Sequence, residues 1–267
     1  MSQRHFAHRR HAFEFGDQSW MKGAWRAAYL DCLNFGLRVG GQFRPVHKAY
    51  SAWAQRAGAG TVLDLGSGGA APIETLILGA RADGNAMPKI VLSDLFPSAA
   101  HYEAMKQRLG AEAIDYVSEP VSALKVDRPD LPARSICSTF HHFRPDDARA
   151  LVEDAIRNGS GLFILEPLQR NLRHFLLVLL SGPFAYMLAP FFARRFSVFS
   201  LLFCTLLPII PLMVMWDGCV SALRMYTPDE IRAMIPEELR TKVDVETGEF
   251  PYMGAFGATF VAMTRRR

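Results

Sequence analysis

The sequence predicts an α/β fold, a doubly wound and mostly parallel sheet of seven strands with helices ahead of it and an apolar helical hairpin inserted late in the chain. Three observations carry this reading. Short, nearly continuous apolar runs recur at intervals that leave room for crossover helices. The first run ends in a glycine-rich turn, and a long stretch almost without charge separates the fifth run from the last two. Strands that alternate with helices wind in parallel, because each crossover returns the chain to the end of the sheet it left.

Taken in order, residues 20–57 mix aromatic and aliphatic positions at helical spacing, with Trp25, Ala28, Tyr29 and Cys32 on one stripe and Gly40-Gly41 as a break, so two helices are expected. Strands are expected at 61–65, 89–93, 113–117, 135–139 and 161–165, with helices at 73–78, 99–109 and 146–157 between them. After the apolar stretch, Thr227-Pro228-Asp229-Glu230 has the pattern of a capped helix start. Residues 241–245 and 259–263 alternate like a terminal antiparallel pair. The expected divisions are an N-terminal helical cap (1–60), a core (61–170), the apolar insertion (171–226) and a C-terminal helix with two strands (227–267).

Composition narrows the function. A chain of 267 residues, half of them apolar, can bury a full core. The net charge of +4 comes from scattered Lys and Arg rather than clusters, which argues against a nucleic-acid partner. Cys32, Cys137, Cys204 and Cys219 stand far apart with no C-x-x-C pair, so neither a zinc site nor a disulfide framework is expected, and a reducing cytoplasm fits. Residues 1–15 hold Arg4, Arg9 and Arg10 but no continuous apolar core, and Glu14 and Asp17 follow. Export is therefore not expected, and the segment reads as a loose arm.

Gly66 and Gly68 follow the first strand, where the absence of a Cβ lets the backbone approach a ligand and aim amides at it. Asp94 ends the second strand, where a carboxylate can accept both hydroxyls of a ribose. Together they describe a nucleoside site. A dinucleotide fingerprint would want a third glycine, for which Ala71 is a tolerated replacement, and an acid closer to Gly66 than Asp94 is.

The run Val62-Leu63-Asp64-Leu65-Gly66-Ser67-Gly68-Gly69 resembles the first motif of class I S-adenosylmethionine-dependent methyltransferases, with Asp64 as its acid two residues before the first glycine. Ile90-Val91-Leu92-Ser93-Asp94-Leu95 is similar to that family's second strand, Ile136–Phe143 to its fourth strand and following turn, and Gly159–Glu166 to its fifth. The resemblance covers roughly residues 61–166. It implies S-adenosylmethionine as cofactor, with Asp64 near its methionine part and ordering the loop. It also implies a cofactor site drawn from Asp64, Gly66, Ser67, Gly68, Asp94, Leu95, Val121 and Thr139. Many relatives carry an acid near the adenine after the third strand. Ser118-Glu119-Pro120-Val121 stands there instead, so no single side chain is assigned to the base.

The stretch 175–216 carries only two charges, Arg194 and Arg195, and each half approaches the length of a bilayer span. Gly182 and Pro183, Pro190, Pro208 and Pro211 interrupt both halves. Both ends must return to the sheet, so a double crossing would export Arg194 and Arg195 against the positive-inside tendency. A hairpin that lies on or dips into the membrane from the cytoplasmic side, or lids an apolar substrate cavity, is favoured over a full crossing. An internal helical lid is the bland alternative.

Asp217, Ser221, Arg224 and Tyr226 follow directly, and buried polar groups need partners, so a network is expected among them. They serve equally as an acceptor pocket, closed by Trp20 with Glu14 and Asp17, or as an Asp217–Arg224 staple. The function expected is direct methyl transfer to a hydrophobic or lipid-like small molecule, with no metal required. His142, His141, Glu166 and Asp217 are the candidate bases. The alternatives are a nicotinamide-dependent oxidoreductase and a non-catalytic membrane-associated protein retaining the fold.

Overall fold

The computed structural model describes residues 8–39, 41, 43–193, 197–252 and 256–266; Gly40, Arg194 and Arg195 lie outside them. The chain forms two compact units, one of Gln42–Pro167 with Thr227–Arg267 and one of Met1–Gly41 with Leu168–Tyr226. This regroups the expected divisions. The 1–60 cap is split, its second helix belonging with the sheet and its first with the apolar insertion.

The sheet unit holds α2 (His47–Arg56), β1 (Thr61–Leu65), α3 (Ala71–Ala82), β2 (Lys89–Ser93), α4 (Ala99–Leu109) and β3 (Ile114–Tyr116). It continues with β4 (Ala133–Cys137), α5 (Pro145–Arg157), β5 (Gly161–Glu166), α10 (Pro228–Ala233), β6 (Val243–Tyr252) and β7 (Phe256–Arg265). The strand order is β3-β2-β1-β4-β5-β7-β6. β1 to β5 run parallel, and β7 lies antiparallel between β5 and β6. The seven-stranded, mostly parallel α/β sheet is the one expected.

Two boundaries differ from expectation for local reasons. β4 ends at Cys137, two residues before 139, because Ser138 adopts φ 61°, a left-handed conformation that no strand continues through. β6 and β7 run well beyond 245 and 259 because they pair with each other from Val243↔Arg265 to Tyr252↔Phe256, whereas β5 spans only Thr259–Thr264 of β7. In the core, the Tyr50, Trp53 and Phe163 rings meet at 4.9–5.4 Å, and the indole N–H of Trp53 donates to the Met263 carbonyl at 2.9 Å. α2 thus fastens to β5 and β7.

The apolar unit holds α1 (Gly23–Arg38), α6 (Leu172–Tyr186), α7 (Ala189–Phe192), α8 (Val198–Ser200), which runs into π-helical turns at Leu201–Leu206, and α9 (Ile209–Arg224). The expected simple hairpin is therefore a chain of shorter pieces. Pro183 sits inside α6, Pro190 opens α7, and Pro208 precedes α9. α6 and α9 pack closely because two contact positions lack side chains. A Cβ on Gly182 would meet Met215 at 2.5 Å, and one on Gly218 would meet Val178 at 2.7 Å. Trp25 on α1 packs against Phe199 and Phe203 at 5.1 and 4.8 Å. No single helix among the described residues is long and apolar enough to cross a membrane. Two bent pairs reach that length, Leu172–Leu180 with Gly182–Phe192, bent by 51°, and Val198–Leu206 with Ile209–Arg224, bent by 67°.

Candidate active site

From β1 the chain winds outward to β2 and β3, then crosses back to β4 and β5, so the winding reverses between β1 and β4. In an open α/β sheet the crevice at the carboxyl ends of such strands is where ligands bind. Leu65 pairs with Ser93, so Gly66 and Asp94 leave neighbouring strands at the same level. The loop into α3 then takes left-handed φ values at Gly66 (67°), Gly68 (53°) and even Ala70 (56°). This curl points the Gly68 N–H at Asp94, donating to Oδ2 at 2.8 Å, while the Phe96 N–H donates to Oδ1 at 2.7 Å. Asp94 thus fixes the turns after both strands and does not cap α4, which begins after Ser98.

Asp64 is buried beneath this loop. Its Oδ2 accepts the Ser67 hydroxyl and its Oδ1 the Ser135 hydroxyl, each at 2.7 Å, and Tyr50 donates in turn to Ser135 at 3.0 Å. Ser93 donates to the Asp64 carbonyl at 2.8 Å. Burial pushes the Asp64 carboxyl up to about 7, against the lowering pull of the Ser67 and Ser135 hydroxyls. Asp64 therefore orders the loop through Ser67, and both of its oxygens face protein hydroxyls.

On the β4 side, Thr139 donates to the Gly66 carbonyl at 2.8 Å, closing the switch point. Val121 donates its N–H to the Asp94 carbonyl at 2.8 Å, and Leu95 and Phe96 are exposed beside that acid. The structure thus brings Asp64, Gly66, Ser67, Gly68, Asp94, Leu95, Val121 and Thr139 together at the carboxyl ends of the central strands. Sequence reasoning missed Ser135, Ser93, Tyr50 and Phe96. A serine within the apolar β4 run was the one available sign.

The turn after Thr139 carries His141 and His142, whose rings lie 4.3 Å apart. Glu166, at the end of β5, takes the His141 backbone N–H at 3.0 Å and meets its Nδ1 at 2.9 Å, with both side chains buried. Asp217, the remaining candidate base, belongs to the apolar unit.

There Asp217 accepts the backbone N–H groups of Phe15 and Gly16 at 2.8 Å and the Tyr29 hydroxyl at 2.7 Å. Ser221 donates to Glu14 at 3.1 Å; Arg224 pairs with Glu14 at 3.2 Å and Asp17 at 2.7 Å and also binds the Ala12 carbonyl. Tyr226 lies under the Arg9 guanidinium at 4.1 Å. The expected polar network is present, but Asp217 and Arg224 have separate partners, all of them on or beside the N-terminal segment. Residues 9–17 are consequently strapped along α9 instead of forming a loose arm. Trp20 is exposed and touches the edge of Phe15 at 6.5 Å. Two open grooves on the sheet unit lie elsewhere, about 770 Å³ around His47, Lys48 and Asp83 and about 320 Å³ beside Arg232, Ile235 and Val243.

No family model matches the sequence, and no curated protein is similar to it. Many solved structures of similar fold are S-adenosylmethionine-dependent methyltransferases. Mitomycin 7-O-methyltransferase MmcR is 16% identical over 86% of this chain and 54% of its own, with a TM-score of 0.49. Magnesium protoporphyrin IX methyltransferase ChlM from Synechocystis PCC 6803, with bound SAH, is 12% identical over 86% and 85%, at 0.48. Human N-acetylserotonin methyltransferase, in complex with SAM, is 14% identical over 91% and 56%, at 0.49. The chain spans little more than half the length of the first and third of these, and each likeness is one of fold.

Proposed function

We propose that this chain is an S-adenosylmethionine-dependent methyltransferase acting on a hydrophobic small molecule. The observation that carries the reading is the curled Gly66–Ala70 loop held against Asp94 at the sheet's switch point. The residues fit the cofactor. Each Asp94 oxygen accepts one amide and keeps a lone pair for a ribose hydroxyl. A Cβ built on Gly68 would meet nothing within 4 Å, so there is open space beside that amide, and exposed Leu95 and Phe96 offer apolar surface to a base. A nicotinamide-dependent oxidoreductase of the usual dinucleotide type would carry a parallel sixth strand beside β5, where antiparallel β7 lies.

When bound, S-adenosylmethionine supplies a methyl group on a positively charged sulfur, already activated toward a nucleophile. The protein's part is then position and proton removal. Glu166 accepts a hydrogen bond from the Nδ1–H of His141, which fixes the tautomer in which Nε2 accepts a proton from the acceptor's hydroxyl. The carboxylate also stabilises the imidazolium that results. The apolar character of the acceptor rests on the composition of residues 171–226.

Calorimetric titration with S-adenosylmethionine, S-adenosylhomocysteine and NADH tests the reading. Both adenosyl ligands are expected to bind, and Asp94→Asn, which keeps an acceptor for one amide, is expected to weaken both at least about tenfold. Binding of NADH in their place, or of none of the three, would overturn it.

A further inference from the structure

We propose that one face of the apolar unit seats on an anionic lipid bilayer. Fifteen of the twenty-one large apolar side chains exposed among the described residues fall between Leu172 and Trp216. They are not scattered. On α6 the exposed large apolar positions are Leu172, Leu176, Leu179, Leu180 and Phe184, which recur at the helical period and make one face that also holds exposed Arg173; on α9 they are Ile209, Leu212 and Trp216, again one face. A water-facing helix carries its charges on this side. These two helices carry mostly leucine and phenylalanine there, with Leu180 and Phe184 75% and 78% exposed, and Val198 on neighbouring α8 is 72% exposed.

The lengths and charges identify the occupant. Each bent helix pair is long and apolar enough by composition to match a bilayer core, and although α9 buries its inner face, the faces that α6 and α9 expose remain mostly apolar. Breaks of 51° and 67° bend both pairs over, as suits helices lying within the headgroup and acyl boundary. From Pro167 to Trp216 the sequence holds no Asp or Glu and four arginines, Arg170, Arg173, Arg194 and Arg195; Arg170 is buried with its guanidinium on the Met225 carbonyl, whereas Arg173 is exposed on α6. Exposed Arg173 and the lack of carboxylates in this stretch complement anionic headgroups. The fringe is aromatic as well. Exposed Trp216 donates its indole N–H to the Phe13 carbonyl at 3.0 Å, and Phe13, Phe15 and Trp20 follow in edge contact, the side-chain type that favours the headgroup level. This inference stands independently of the cofactor, since it needs neither Asp94 nor methyl transfer.

The test is flotation of the full chain, purified in mild detergent and diluted onto preformed vesicles of phosphatidylcholine alone or with about a third phosphatidylglycerol. The protein is expected to float with both and more completely with the anionic vesicles. Leu180→Ser/Phe184→Ser is expected to partition at least about tenfold less, while Leu124→Ser, an exposed position on the sheet unit, floats like the parent. Circular dichroism and an unchanged urea midpoint establish that the double variant is folded. Failure of the parent to float, equal flotation of the double variant, or a detergent-free dimer that the double variant abolishes without any vesicle binding would each overturn the proposal.

Discussion

In the sheet unit, the polar groups that matter are buried and answered. Asp64 is met by Ser67 and Ser135, Glu166 by His141, and the Asp94 oxygens by two backbone amides. In the apolar unit, leucine and phenylalanine stripes are exposed on α6 and α9, while its buried polar groups lie inside, Glu14 and Asp217 with Arg224 along the strap of residues 9–17 and Arg170, Asn171 and His174 at the start of α6. The contrast teaches that the two units are shaped by different neighbours. Preorganised polar groups at strand ends prepare a site for a small polar ligand, whereas an apolar outer face needs a low-dielectric surround.

The sharpest way to break this contrast is to attack the apolar unit's own buried charges. Arg224→Met removes the cation beside buried Glu14 and is expected to cost about 3–5 kcal/mol in urea denaturation. Adding Glu14→Gln should recover much of that loss. If the single variant costs nothing, the strap is ornamental and the unit has no internal polar frame.

Asp64 gives the matching test in the sheet unit. Its carboxyl holds its proton more tightly in the folded chain, with a pKa of about 7 against 3.8 ordinarily. The group is neutral in stability terms below about pH 4, and its penalty grows as the pH rises, reaching roughly 3–5 kcal/mol above about pH 7. Asp64→Asn cannot ionise. Its urea midpoint should therefore fall less than the parent's between pH 5 and 8, and equal falls would remove the buried-carboxyl account.

Two smaller effects sharpen the picture of the loop and of the start of α10. Gly66→Ala meets both a φ of 67° and the Thr139 methyl at 2.6 Å, so it should lose about 1–3 kcal/mol, while Gly68→Ala, in open space at φ 53°, should lose about 1. A reversed order in urea denaturation would mean the loop relaxes away from Thr139. Smallest is Thr227→Ala. Thr227 and Glu230 exchange capping bonds at 3.2 and 2.8 Å, and their loss should cost about 1 kcal/mol by the same measurement.

Much of this was legible in the chain because it is local. β1 and β2 fall where continuous apolar runs lie, α4 fits its helical spacing, and the capping box at Thr227 is read from four adjacent residues. The boundary of β4 was not legible, since a serine gives no sign that it will take φ 61°. Nor was the lengthening of β6 and β7, which comes from pairing with each other rather than from either run alone.

The sequence by itself determined the α/β class, the parallel winding and the glycine loop with its two acids, because hydrophobic period and backbone freedom act over a few residues. Only the tertiary structure decided that Ser135 on β4 answers Asp64 on β1, that Glu166 orients His141, and that Arg224 reaches Glu14 and Asp17 rather than Asp217. A buried polar group takes whichever partner the packing brings within about 3 Å, and that is set by strand order and helix contact, not by distance along the chain.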